Sequence, residues 1–201
     1  MSRITLQLLR GYASRPGERL TAYACAALTV LLLCTPATGS AETPQSTEYR
    51  VKAAFMYNFS RFVQWPSTAN GQASDFTLCI LGHDPFGEAL DSLAGKLVRD
   101  QVLAIKRFDN PALIDSCQLV FIGQNNSSNL GDILSQLVNS PVLTISDIDD
   151  FNDNGGIIQF RLVDNKVRFD INIDAAKRAG LNISSKLLSL ASNVQVSRQN
   201  D

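Results

Sequence analysis

A chain of 201 residues with 45% hydrophobic and 18% charged side chains has the make-up of an ordinary globular protein, which excludes fibrous and wholly disordered classes. The formal net charge is −1; loss of residues 1–41 would remove four arginines and one glutamate and leave 14 basic against 18 acidic residues. That mild acidity argues against nucleic acid and against an anionic membrane surface as partners.

Arg3, Arg10, Arg15 and Arg19 form a basic start, Leu20–Leu33 is an apolar stretch too short for a membrane span, and Thr38-Gly39-Ser40-Ala41 suits cleavage after Ala41. Residues 1–41 therefore read as an export signal, 42–47 as a flexible polar leader, 48–196 as one folded domain and 197–201 as a polar tail. Nothing in the mature part calls for direct membrane insertion. Cys25 and Cys34 leave with the signal, so Cys79 and Cys117 remain. Two cysteines in an exported chain are expected to pair; the alternative is two buried thiols.

The spacing of Val51, Ala54, Phe55, Asn58, Phe59 and Phe62 predicts a helix over 48–65, capped by Ser46 or Thr47, with Arg50, Lys52, Arg61 and Gln64 on the other side. Trp65-Pro66 stops it. The aromatic side chains on this stretch read as a core face, with a ligand surface as the alternative. After a polar loop, Phe76–Leu81 is a nearly continuous apolar run, the pattern of a strand buried on both faces, and is taken as the first and central strand. A helix is expected over Pro85–Leu93, with Pro85 in its first turn. Strands follow at Gln101–Arg107, Gln118–Ile122 and Val142–Ile145. They alternate with a helical turn at Pro111–Ser116 and an amphipathic helix at Asn129–Val138 capped by Ser127 or Ser128. Gly156–Val163 and Lys166–Asn172 flank Asp164-Asn165, a two-residue turn that predicts a hairpin. Helices at Asp174–Ala179 and Ser184–Ala191 and a short segment at Val194–Val196 complete the chain. The expected fold is a single α/β domain. Its mixed sheet has about six strands, a parallel core with the C-terminal antiparallel hairpin at its edge, flanked by helices.

His83 is the only histidine, which leaves little room for histidine-based metal or nucleophile chemistry, and no phosphate-binding, dinucleotide or nucleophile-elbow motif occurs. His83 lies where a strand's carboxyl end meets a loop, the usual ligand position in α/β folds; the alternative is a solvated loop residue. Asp150-Phe151-Asn152-Asp153-Asn154-Gly155 matches the start of a calcium loop, but the position that needs a bidentate glutamate is Arg161, so a polar turn is the better reading. Hairpin pairing about Asp164-Asn165 sets Arg161 opposite Arg168. Ile158, Phe160, Leu162, Val167, Phe169 and Ile171 fall on the inner face, and Gln159, Arg161, Arg168 and Asp170 on the outer. Two facing arginines repel, and diagonal Asp170 relieves part of this. A partner carboxylate or small anion would relieve the rest; the alternative is two solvated side chains that splay apart. Gln159, Arg161, Arg168 and Asp170, with Ile158 and His83, are the candidate partner- or ligand-binding residues. No catalytic residue, metal ligand or cofactor site is assigned.

Several ordered stretches resemble the YfiR family of exported bacterial proteins. They are Val51–Phe59 with Trp65-Pro66, Cys79-Ile80-Leu81-Gly82 with Asp84-Pro85-Phe86-Gly87, Cys117 before an apolar strand, and Gly155-Gly156-Ile157-Ile158. Arg168–Asn172, Ala175–Leu181 and Ser184–Leu188 complete the set. The resemblance implies a periplasmic homodimer that represses a membrane-bound, YfiN-like diguanylate cyclase through its periplasmic sensor domain and is sequestered by a YfiB-like outer-membrane lipoprotein. Cyclic di-GMP, and with it biofilm formation, would be regulated downstream. Cys79 and Cys117 match one family disulfide; the second, near the hairpin, has no counterpart in 147–156. Asp170 falls where the resemblance places an acidic residue involved in partner contact. The expectation is a regulatory binding protein without catalysis. Its rival is a periplasmic binding protein for a small anionic or aromatic ligand, held by Arg161, Arg168 and the loop Gly82–Gly87.

Overall fold

The computed structural model describes residues 43–66 and 75–196. The expected export signal, the loop at 67–74 and the tail at 197–201 lie outside the described residues.

Helix α1 spans Pro44–Phe62 and starts a turn earlier than its hydrophobic spacing suggested. Thr43 is its cap, accepting from the Ser46 N–H, and Pro44 occupies the first turn, where a missing donor costs nothing. Residues 44–47, expected as leader, are therefore helical. The buried face is also rotated: Lys52, Ala53, Met56, Phe59 and Ser60 point inward, whereas Val51 and Ala54 are exposed. A lysine can lie inward here because two carboxylates meet it, as described below. Met56 and Phe59, essentially fully buried, each contribute roughly 1.5–3 kcal/mol by leaving water. The chain turns extended at Val63, and β1 (Val63–Gln64) pairs antiparallel with β9 (Asn182–Ile183).

The main sheet has eight strands, in the order β10-β8-β7-β6-β5-β2-β4-β3. In chain order these are β2 Asp75–Leu81, β3 Leu97–Val98, β4 Gln101–Phe108, β5 Leu119–Ile122, β6 Leu143–Ser146, β7 Ile158–Val163, β8 Lys166–Asn172 and β10 Asn193–Gln195. Strands β4, β2, β5, β6 and β7 run parallel, and β7–β8 and β3–β4 are antiparallel pairs. The class expected from the sequence holds. The hairpin is not the edge, however, because β10 adds in parallel outside β8. Strand β2 is buried on both faces, as its apolar run predicts. Phe76, Leu78 and Ile80 join the α1 side of the core, while Cys79 and Leu81 join the layer beneath α3 (Leu130–Leu137). Cys79 is bonded to Cys117 at the entry to neighbouring β5, with Cα atoms 6.0 Å apart.

Smaller departures have local causes. The helix expected over Pro85–Leu93 shrinks to α2, Glu88–Asp91; Asp84 Oδ1 accepts from the Phe86 and Gly87 N–H groups and delays its start. Helix α3 begins after a 3-10 turn over Gln124–Asn129, and no side chain caps it. Helix α4 (Ile173–Arg178) falls where predicted, whereas α5 (Ser185–Leu188) covers only the first half of the helix expected over Ser184–Ala191; Asn172 and Ser184 cap them.

Candidate functional site

The hairpin register is the one the sequence predicts, with Arg161 across from Arg168 and Gln159 across from Asp170. Its turn residues Asp164 and Asn165 take φ of 49° and 56°, which suits the right-handed twist of the strands. On the outer face Arg161 Nη1 lies 3.1 Å from Asp170 Oδ2. The arginine is largely exposed and the carboxylate mostly buried, so Arg161 covers a charge that has little access to water. Arg168 turns away toward the Val167 carbonyl.

The sequence-derived set divides. Gln159, Arg161 and Asp170 line one polar cavity of about 490 Å³, together with Asp149, Asp150, Asn152 and Asp153 from the loop before β7 and Asn193 and Gln195 from β10. Arg168 belongs to a different groove of about 760 Å³ between α1 and the hairpin end, where Val51, Phe55, Leu162 and Val167 supply apolar surface. Leu162, expected on the inner face, is 53% exposed there. The hairpin tip runs out past the core, so its alternation no longer separates inside from outside. Ile158 is fully buried in the core and is removed from the contact surface: its partner Ile171 and strand β6 leave it no outward path. His83 is exposed beside Thr43, Gln45, Ser46, Asp84 and Pro85, apart from the hairpin surface.

The sign of the site also differs from expectation. The loop read as a polar turn places Asp149, Asp150 and Asp153 in the same cavity as Asp170, with Arg161 the one cation among its lining residues; Asp153 Oδ1 accepts from Gln195 Nε2 at 3.0 Å. Phe151, buried against Gly156, and the Asn172 side chain, which donates to the Asn152 carbonyl at 2.9 Å, fix this loop. Among the described residues, no group of three or more His, Cys, Asp or Glu side chains gathers closely enough to hold a metal ion.

Between the two cavities lies a charge network that the sequence reading missed. Lys52, 3% exposed, has Nζ 2.5 Å from Glu48 Oε1 and 2.6 Å from Asp147 Oδ2. The Tyr49 hydroxyl donates to the same Asp147 oxygen at 2.9 Å, and Gln124 Nε2 donates to Asp147 Oδ1 at 3.1 Å. Burial, reinforced by the Asp147 carboxylate, pushes the Tyr49 phenol far above its ordinary range. The helical i, i+4 spacing of Glu48 and Lys52 was the only sequence signal for this cluster.

In a parallel sheet of this order the usual ligand crevice opens between the carboxyl ends of β2 and β5, where the chain reverses its direction of winding. Here that crevice is filled. Asn125 Oδ1 accepts from the His83 N–H at 3.0 Å, and Asn126 Nδ2 donates to the Leu81 carbonyl at 3.1 Å. A Cβ on Gly82, which sits at φ 84°, would come within 2.4 Å of both asparagine side chains.

Residues 49–192 match the model of the YfiR/HmsC-like family. The chain belongs to the YfiR/HmsC-like family. The match takes in both hairpin strands, the loop before them and all of the sheet except β10. YfiR/HmsC-like proteins are periplasmic regulators in cyclic di-GMP signalling rather than enzymes. Among the described residues, no helix is long and apolar enough to cross a membrane. The fold is also similar to the crystal structure of a conserved domain protein from Vibrio cholerae O1 biovar El Tor str. N16961, with a TM-score of 0.50 and 10% identity. That alignment covers 73% of this chain and 60% of the other, so this YfiR/HmsC-like chain spans less than two thirds of that protein's length, and the likeness concerns fold alone.

Proposed function

We propose that this YfiR/HmsC-like protein is a periplasmic repressor that binds the sensor domain of a membrane-bound, YfiN-like diguanylate cyclase. Binding one conformation of the sensor shifts the cyclase toward its inactive state and lowers cyclic di-GMP. A YfiB-like outer-membrane lipoprotein would relieve the repression by sequestering the repressor, which acts as a homodimer. The observation that carries this reading is the family match over 49–192. The exposed Arg161 and Arg168 of the hairpin, with half-buried Gln159 and buried Asp170 beside Arg161, support it as the contact region. The filled crevice at Gly82 agrees with work done by an outer surface rather than by an enclosed site.

The test pairs a cellular with a biochemical measurement. Deleting the gene should raise cyclic di-GMP and restoring it should lower it, and the purified protein should retain the cyclase's periplasmic domain in a pull-down. Unchanged cyclic di-GMP together with no retention would end the proposal.

One observation favours a second reading, a small-ligand binding protein. The groove lined by Val51, Phe55, Leu162 and Val167, with Lys166 and Arg168 at its rim, falls in the volume range of small-molecule sites. A thermal-shift screen of small aromatic and anionic compounds separates the two: stabilisation by such a ligand, without sensor-domain binding, would favour the second.

A further inference from the structure

Acceptor atoms dominate the cavity beside the hairpin. Asp149, Asp150, Asp153 and Asp170 face the single cation Arg161. No cation lies within ion-pair distance of Asp149 or Asp150 among the described residues. Asn152, 6% exposed, lines the same cavity, and its Oδ1 is buried without a donor; Gln195 Oε1 is in the same condition. A buried acceptor left unmatched costs on the order of 1–3 kcal/mol, so both amides ask for donors that the chain does not supply. At about 490 Å³ the space is many times the roughly 30 Å³ share of one water, far larger than a lone ion needs.

The cavity does not stand alone. A polar cleft of about 440 Å³ shares Asp149 and Arg161 with it and shares Leu162 with the apolar groove against α1. The cleft thus adjoins both, with the apolar groove at the Leu162 end of β7 and the acidic cavity at its Gln159 end. We propose that these adjoining cavities receive an extended segment of the partner protein that carries an apolar anchor followed by arginine or lysine. The anchor sits against Val51, Phe55 and Leu162, and the cation meets Asp149 and Asp153, whose Oδ1 already accepts from Gln195 Nε2 at 3.0 Å; the Asn152 oxygen lies just beneath them. An arginine suits the site best, since its several fixed donors can reach two carboxylates at once. This rests on the binding-module reading and adds the chemistry of the bound surface, which is basic, not acidic.

The test uses the mature protein and three synthetic peptides in a calorimetric titration at low and moderate salt. One peptide has two leucines, a glycine and three arginines; the second carries glutamates in place of the arginines; the third carries serines. The basic peptide should bind, weaken with salt, and lose at least tenfold in affinity against the Asp149→Asn/Asp153→Asn variant, whose changes lie on exposed positions and leave the fold intact by circular dichroism. Equal binding of all three peptides, no binding of the basic one, full affinity in the variant, or calcium binding without peptide binding would each overturn the proposal. Retention of the cyclase sensor domain by a protein that ignores the basic peptide would sink this inference while leaving the repressor reading intact.

Discussion

Lys52 Nζ stands 2.6 Å from Asp147 Oδ2, a contact that ties the first helix to the loop leaving β6 across 95 positions of sequence. Both side chains are nearly closed to solvent, and removing one partner of such a pair leaves an uncompensated charge. Lys52→Met should therefore destabilise the domain by about 3 kcal/mol in urea unfolding, the low end of the usual range, because Tyr49 and Gln124 still donate to Asp147. A loss below about 1 kcal/mol would mean the network is better solvated than its burial implies.

Tyr49 gives the same network a pH signature. Its phenol is held protonated by burial and by the Asp147 carboxylate, so its folded pKa exceeds the unfolded value of about 10. The unfolded chain then loses its proton first. Stability contributed by Tyr49 is complete below about pH 10 and declines as pH rises above it. Wild-type stability should fall more steeply in this alkaline range than that of Tyr49→Phe. Parallel curves for the two proteins would refute the assignment.

Cys79 and Cys117 close a loop with a sequence separation of 38. The chain-entropy model gives such a bridge about 4 kcal/mol as an upper figure. The Cys79→Ala/Cys117→Ala variant should unfold at markedly lower urea, and reductant should move the wild type toward the same midpoint. Identical midpoints with and without the bond would leave it no role in stability.

The two hairpin arginines should part company on mutation. Arg161→Ala exposes the buried Asp170 carboxylate to an unpaired state and should cost on the order of 1 kcal/mol, moderated by the arginine's own exposure. Arg168→Ala should leave stability unchanged while weakening retention of the sensor domain. Sensor-domain affinity equal to wild type in a folded Arg168→Ala protein would remove Arg168 from the contact.

Gly156 bears on the loop that carries three of the four carboxylates. A Cβ there would lie 2.1 Å from the Phe151 ring. Gly156→Ala should cost roughly 1–3 kcal/mol, as overpacked cores do, and should loosen the acidic loop. Unchanged thermal unfolding would show that Phe151 has another place to go.

What could be read from the sequence follows the range of the interactions. The hairpin register was legible because a two-residue turn and strict alternation settle it locally. The acidic cavity was not, since Asp149, Asp150 and Asp153 come to line one cavity with Asp170 only in the folded chain. Lys52 misled for a similar reason: a charged side chain reads as outward until its partner, far along the chain, is known. The two-residue strands β1, β3 and β9 carry too few residues for any periodicity, and their pairing follows from neighbours already in place. Thr43-Pro44 was a readable start signal for α1, obscured by the polar residues that follow it.

Strand β10 is only three residues long, none of them fully buried, yet among the described residues it alone occupies the outer flank of β8. A polypeptide ending at Ala191 would lay bare the backbone donors and acceptors of Asp170–Asn172, beside a stretch rich in β-branched and aromatic residues. Such a margin invites a sister molecule to add on, and then another. A three-residue strand thus guards against fibrous self-assembly.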